Sequence, residues 1–581
     1  MAPALTIWPT GGGGSGFLNR VHARLAGFAR PATGFVSRPE PKTVGRFARG
    51  RQLIAGHFLF AGHLVEAPGQ SIWDLGAPDA AFEAERHGFT WLDDLAAVGD
   101  LKARARAQPW TWDWIARFGD GQGPGWTPDL VARRVMRWTH HALFLLRGQD
   151  KAASDAFYAA LTRQATFLAR RWRSARAGLP RIEALAGLIY CGLALEGMEG
   201  RTDPALSALT DECARSIGPR GEIASRNPEE LLEIFTLLTW VAQALTDAGR
   251  PTPPVVDQAL HRIAPVLRAL RHADGGLARF HGGGRGLDGR LDQALAASAV
   301  RDRPDDGLQM GFARLGGGRT SLIVDVAPPP TGDGGHASTL AFELTSGRRP
   351  VVVTMGPGHT FGTDWQARAR EAEAHAALCV AGRGPAIVPG AQGSLVAPPR
   401  RVQVERSILP DGIKLEAAHD GFRATLGLTH ARSLSLTRDG RGLVGEDILV
   451  ALTEEDQRLF DRALDSDGLK GVPVAVHFPL HPDVDAEVDM GGAAVSLALK
   501  SGEIWVFRQD GRAELSLDPT TYLEQGRLRP RTSQRIVLRT RLARARTRLR
   551  WSLSKAHDTP AGVRDHAAEE GTEGVLHPGG D

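Results

Sequence analysis

HGGGRGLDGRLDQALAASAVRDRPDDG, residues 281–307, is where the sequence changes character. It is a Gly- and charge-rich connection, and the hydrophobic pattern differs on its two sides. Upstream, apolar residues recur at helical spacing. In TPDLVARRVMRWTHHALFLLR (127–147), Leu130, Val131, Val135, Trp138, Ala142 and Leu145 fall on one stripe. Thr127 is placed to cap this helix and Pro128 to occupy its first turn, where a missing N–H is harmless. Further helices are expected over about 152–175, 181–198, 204–217, 228–248 and 254–272. Pro180, Pro204, Pro228 and Pro253-Pro254 stand near their starts, and Gly178, Gly197, Gly218 and Gly249 near their ends. Long amphipathic helices joined by short loops pack as antiparallel hairpins. So many successive hairpins predict an (α/α) toroid, or incomplete helical barrel, rather than a four-helix bundle.

Downstream the period becomes two. RTSLIVDV (319–326), STLAFELT (338–345), PVVVTMG (350–356), RVQVERS (401–407), GIKLEAA (412–418), FRATLGLTH (422–430) and GLVGEDILVA (442–451) read as strands. Asp411-Gly412, Asp439-Gly440 and Asp510-Gly511 are hairpin turns. The pattern continues to about residue 554 and predicts a large antiparallel β-sandwich. The chain is thus an α+β multidomain protein. An N-terminal arm (1–45) precedes the toroid (46–300), the sandwich spans 301–556, and a polar tail (557–581) closes the sequence.

Composition limits the function. The 581 residues carry 70 Lys+Arg against 66 Asp+Glu, and Lys occurs only seven times. Scattered Arg balanced by nearby acids is not a basic stripe, so nucleic acid is not expected as a partner. Three Cys exclude a disulfide framework or a Cys-rich zinc site. No apolar run reaches the ~20 residues of a membrane span. The opening residues lack an apolar signal core, which places the protein in the cytoplasm. No phosphate-binding loop and no nucleophile elbow occurs.

Gly334-Gly335-His336-Ala337-Ser338-Thr339-Leu340-Ala341-Phe342-Glu343-Leu344, followed by SGRRPVVVTMGPG (346–358), resembles the His-x-His-x-Asp-x-Leu-Ser-Phe stretch of the heparinase II/III-like family. Arg370-Glu371-Ala372-Glu373-Ala374-His375 resembles that family's Arg-x-Thr-x-x-His segment. GRQLIAGHFLFAGHLVE (50–66), GWTPDLVARRVMRWTHHAL (125–143) and VAVHFPLHPDV (474–484) extend the resemblance to roughly 40–555. It implies a polysaccharide lyase that cleaves an acidic, uronic-acid-containing glycan by β-elimination in the cleft between toroid and sandwich. Such chemistry needs a group that neutralises the uronate carboxylate, a base for the C5 proton and an acid for the leaving oxygen. It also implies a periplasmic setting and, in some members, a zinc ion in the sandwich.

The sequence departs from the family pattern at most of these places. The toroid's Asn-His pair falls on Pro180-Arg181, and the position of its catalytic Tyr falls in Asn227-Pro228-Glu229-Glu230-Leu231. The first motif His is Gly334, its Asp is Ser338, and the carboxylate of the next strand is Thr354. His336 and His375 remain. His336 is then the candidate acid/base or, with His375, a zinc ligand, though a carboxylate ligand is missing. Arg226 and Asn227 are candidates to hold the substrate carboxylate, with helix capping the alternative for Asn227. His281, Trp365 and Arg370 are candidate subsite residues, with Asp364 and Arg368 beside them. Trp110, Trp112 and Trp114 alternate as a groove lining would, yet an aromatic core is the commoner use. His140-His141 diverge by about 100° on a helix and do not chelate together. His477 and His481 lack a local third ligand. A hydrolase would need two carboxylates, of which only Glu343 is nameable. The missing catalytic set points to the other reading: a non-catalytic glycan-binding or cell-envelope polysaccharide assembly protein that retains the fold.

Overall fold

A computed structural model describes residues 13–37, 40–466 and 470–556. The tail expected over 557–581 lies outside the described residues. Helices dominate to Ser298, and antiparallel strands dominate from Phe312 onward.

The helical half follows the punctuation of the sequence. Helices run over Pro128–His140, Lys151–Arg171, Leu179–Ala194, Thr202–Ser216, Pro228–Asp247 and Pro254–Ala269. The expected single helix over 127–147 is instead two, because His141 leaves helical geometry (φ −104°, ψ 20°) before Ala142–Leu146. Several elements went unread: the helices Gly13–Ala26, Phe47–Ala55, Ala80–His87, Thr90–Val98 and Leu101–Phe118, the helix Arg290–Ser298 inside the Gly-rich connection, and the β-hairpin in which His57–Phe60 pairs with His63–Glu66.

Aromatic residues fill this core. Trp110 and Trp114 are four residues apart on the helix Leu101–Phe118, so both face inward, while Trp112 points the other way and stacks near Phe157. The helical period therefore overrides the alternation, and these rings form core, not a groove. Arg134 lies among them with no exposed surface. Its guanidinium is 4.0 Å from the Trp114 ring centroid, and its N–H groups reach Gln164 and the carbonyls of His87 and Gly125.

The C-terminal half is a sandwich. One layer is an eight-stranded antiparallel sheet in the order Val484–Asp489, Ala494–Leu499, Ile504–Gln509, Arg546–Lys555, Gly442–Val450, Leu428–Thr437, Gly412–Phe422, Val402–Leu409. Two four-stranded sheets, joined by a bridge between Val352 and Leu480, complete it. Phe342, Phe478, Trp505 and Trp551 are buried in its core. FRATLGLTH is split: Arg423–Leu426 is one helical turn, ended by Gly427 at φ 63°, and the strand starts at Leu428. The helix Glu454–Ser466, also unread, crosses one edge and buries Phe460.

A single carboxylate organises the sandwich interior. Asp447 accepts from Arg432 Nε (2.7 Å), His430 Nε2 (2.8 Å) and Trp551 Nε1 (3.0 Å). Arg432 also donates to the carbonyls of Leu340 and Ala376 on the facing layer. His430 Nδ1 pairs with His419 Nε2 at 3.1 Å, and His419 Nδ1 accepts from the Gly421 amide. One tautomer of each ring satisfies every bond. The guanidinium holds the Asp447 carboxyl far below the usual carboxylate range against the opposing effect of burial. Replacing Asp447 with Asn strands a buried guanidinium, so urea unfolding of this variant should show a loss of about 3–5 kcal/mol. An unchanged midpoint would contradict the role given to Asp447.

Candidate functional site

The residues singled out by sequence converge on the seam between the two halves. A cavity of about 650 Å³ lies there, walled by the start of helix Pro228–Asp247 on one side and by the loops 331–336 and 358–370 on the other. Asn227, His281, His336 and Arg370 all line it. Trp365 does not; it sits half-buried on the short helix Thr363–Arg368 with the Arg368 guanidinium 5.4 Å from its ring, and Gln366 faces the cavity instead. Packing accounts for Trp365, and the subsite role expected for it finds no support.

Arg226 is close by but fully engaged. Its guanidinium donates to the carbonyls of Met310 (3.0 Å), Ala327 (3.2 Å), Pro328 (2.8 Å) and Gly311 (2.9 Å), and to Asp325 Oδ1 (2.6 Å). Every N–H it owns is used, so none is left to clamp a uronate. The corrected role is structural: Arg226, at the foot of a toroid helix, holds the first sandwich strands. Arg370 is similar. Its three nitrogens donate to the carbonyls of Gly335, Gly390 and Gly393, which pins two sandwich loops. Asn227 is the helix cap, with Oδ1 accepting from the amides of Glu229 (2.9 Å) and Glu230 (3.2 Å).

The histidines are stacked and sealed. Ring centroids of His281 and His336 lie 5.4 Å apart, and those of His336 and His375 lie 4.6 Å apart. The main-chain amides of His281 and Gly282 point at the two ring nitrogens of His336, at 3.1 and 2.8 Å. A neutral imidazole has one free lone pair and an imidazolium has none, so this cradle excludes the charged ring. His281 in turn takes the His336 amide on Nδ1 (3.3 Å) and turns Nε2 toward Asp325 Oδ2 (3.5 Å). His375 Nε2 is bonded to the Ala369 carbonyl (3.1 Å). Burial drives all three toward the neutral form, His375 to about 4 and the other two well below the ordinary value.

Arg226 and His281 both adopt positive φ (51° and 53°), a region costly for side chains with a Cβ. The bonds at their two heads offset that strain, of order 1–3 kcal/mol each.

These residues do not fit zinc. Neither nitrogen of His336 is available, and His375, tied through Nε2, has only its unpartnered Nδ1 to offer, a single ligand. Thr354, at the place of the missing carboxylate, donates its hydroxyl to the Arg279 carbonyl. Among the described residues no group of three or more His, Cys, Asp or Glu is placed to hold an ion. The nearby carboxylate, Glu343, is committed to Arg279 (3.0 Å) and His272 (3.1 Å). Asp325, the seam's other buried acid, went unread because it follows the apolar run Leu322–Val324 at the end of its strand. A carboxylate on a strand buried at every position is itself a sign of a hidden partner.

Toroid, sandwich and seam together define the architecture of polysaccharide lyases. The chain belongs to the heparinase II/III-like family: residues 299–552 match the family model described as Heparinase II/III-like, C-terminal. Over 550 residues, 90% of this chain and 90% of the relative, it is 31% identical to FtsZ-localized protein C of Caulobacter vibrioides (strain NA1000 / CB15N). Its fold is similar to the crystal structure of heparinase III, with a TM-score of 0.68 at 13% identity over 93% of this chain and 89% of that one. It is also similar to heparan sulfate lyase HepC from Pedobacter heparinus, with a TM-score of 0.55 at 13% identity over 94% and 89%.

Two measurements test the seam. Arg226→Lys keeps the charge and loses the planar fork, so it should lower stability by about 3 kcal/mol or more, read by urea unfolding. The buried neutral histidines have folded-state pKa values below that of the unfolded chain. The unfolded chain therefore gains protons first as pH falls, and stability is lost from about pH 6.5 down to about pH 4. His375→Gln should flatten that slope in a melting-temperature series; an unaltered slope would show that His375 titrates freely.

Proposed function

We propose that this protein is a non-catalytic member of the heparinase II/III-like family that works as a binding protein at assemblies of FtsZ. The observation that carries the first part is the state of the candidate reagents. His336 faces two amide donors, His375 is buried and bonded through Nε2, Arg226 spends all five guanidinium N–H groups on four main-chain carbonyls and Asp325, and Arg370 spends three of its five on main-chain carbonyls. No tyrosine lines this cavity. β-Elimination needs a base that can take a proton and a cationic or hydrogen-bonding group free to meet the carboxylate; the residues at the family's motif positions are committed elsewhere, and the other basic groups of the cavity, Arg176, Arg215 and His359, lie outside those motifs. The second part is supported by the end-to-end similarity to FtsZ-localized protein C. That similarity embraces both halves, so it is the whole toroid–sandwich body, and not one domain, that the two proteins share.

The test has two arms. Incubation with a panel of acidic polysaccharides, followed at the absorbance of unsaturated uronates, should give a flat trace. Co-pelleting with FtsZ polymers should bring the full-length protein into the pellet. An absorbance rise that His336→Ala abolishes would restore the lyase reading, and absence from the pellet would remove the FtsZ assignment.

A further inference from the structure

Helix Pro228–Asp247 has a second cavity on its other side. Asn227, Glu230 and Ile234 face the seam cavity, whereas Thr236, Trp240 and Gln243, about half a turn away around the axis, face a space of about 690 Å³. A third space of about 530 Å³ adjoins it, since Arg279, Arg285, Asp288, Tyr522 and Glu524 line both. None of the residues expected to act in a lyase belongs to either.

Where the two spaces meet, the polar side chains are buried and incompletely bonded. Arg279 is 6% exposed and Tyr522 4%. The Arg279 guanidinium lies 4.8 Å from the Tyr522 ring centroid. Its Nε is used by Glu343, while its two terminal nitrogens and the Tyr522 hydroxyl make no hydrogen bond to another described residue, and both side chains line the two spaces. His272, bonded to Glu343 through Nε2, leaves Nδ1 buried and unpartnered. Six basic side chains line the larger space, and five of them are ion-paired: Lys42 with Glu40, Arg137 with Asp93, Arg279 with Glu343, Arg285 with Asp274 and Asp288, and Arg290 with Glu233. Arg46 among them has no carboxylate within ion-pair distance among the described residues. Trp240, half-buried, supplies an apolar ring wall.

We propose that these joined cavities form a binding site for a compact oxyanion-bearing ligand, held at its carboxylate, sulfate or phosphate group by the terminal nitrogens of Arg279 and the hydroxyl of Tyr522. A planar fork of two N–H groups matches two oxygens of one acidic group, and the adjoining hydroxyl matches a third contact. The positive charge of Arg46 at the mouth draws the anion in. The Trp240 wall takes the uncharged body of the ligand. Glu343 fixes the fork from behind through Nε and so presets its orientation.

Calorimetric and thermal-shift titration of the full-length protein tests this with inorganic phosphate, sulfate, glucose 1-phosphate and glucuronate, with glucose as the uncharged control. At least one anion should bind and raise the melting temperature, glucose should not, and added salt should weaken the binding. Phosphate and glucose 1-phosphate against glucuronate separate the phosphate from the carboxylate source. Tyr522→Phe keeps the ring and Arg46→Ala alters an exposed side chain, so both should fold; each should weaken binding about fivefold. No response to any anion at about 10 mM, where even weak carboxylate or phosphate sites fill, would overturn the proposal. So would affinity that both variants leave unchanged, or binding that only His336→Ala removes.

Discussion

The contact between Arg226 and the sandwich is the constraint on which the rest of the molecule depends. One guanidinium at the foot of a toroid helix is bonded to four main-chain carbonyls and to Asp325. A buried charge is costly unless paired and hydrogen-bonded, and here it is both. Asp325 in turn faces His281, and His281 and His336 exchange main-chain amide for ring nitrogen in each direction. This chain of bonds acts with the apolar core shared by the two halves and with the Arg279–Glu343 pair to set their relative placement, and hence the shape of the seam cavity.

The same chain explains why the cavity is chemically quiet. Catalysis at such a seam needs groups that are held in place yet have a valence to spare. Here the holding uses up the valence. Arg370 repeats the pattern on the sandwich side, where its nitrogens close the loops around Gly335, Gly390 and Gly393. By contrast, the Arg279 guanidinium is hydrogen-bonded at Nε only, so both of its terminal nitrogens are left to the second cavity.

The architecture was legible because its signals are local. Helical spacing with Pro at starts and Gly at ends marked the toroid, and period-two runs between Asp-Gly turns marked the sandwich. The misses have local causes too. The hairpin at 57–66 sits inside a helical region, and Arg290–Ser298 hides in a Gly-rich connection. Glu454–Ser466 buries little beyond Phe460, so it lacks a broad apolar stripe. The seam was legible in part. The sequence marked Asn227, His281, His336 and Arg370 as residues of one cleft, and they are. It did not reveal that Arg226 is saturated and Arg370 tied down, because all but one of their acceptors are main-chain carbonyls. Any residue can supply a carbonyl, so no side-chain pattern announces it. Nor did it mark Asp325 or Tyr522, whose importance arises only when distant segments meet.

That anonymity of the acceptors has a consequence for how such a protein can diverge. Four of the five groups that receive Arg226 belong to the peptide backbone at Met310, Gly311, Ala327 and Pro328. Exchanging a side chain at those positions does not delete a carbonyl. The joint is therefore asymmetric: the helical partner is tied to one particular amino acid, while the sheet partner is tied only to a path of the chain. Side chains on the sandwich rim can drift toward new binding tasks with the two halves still in register.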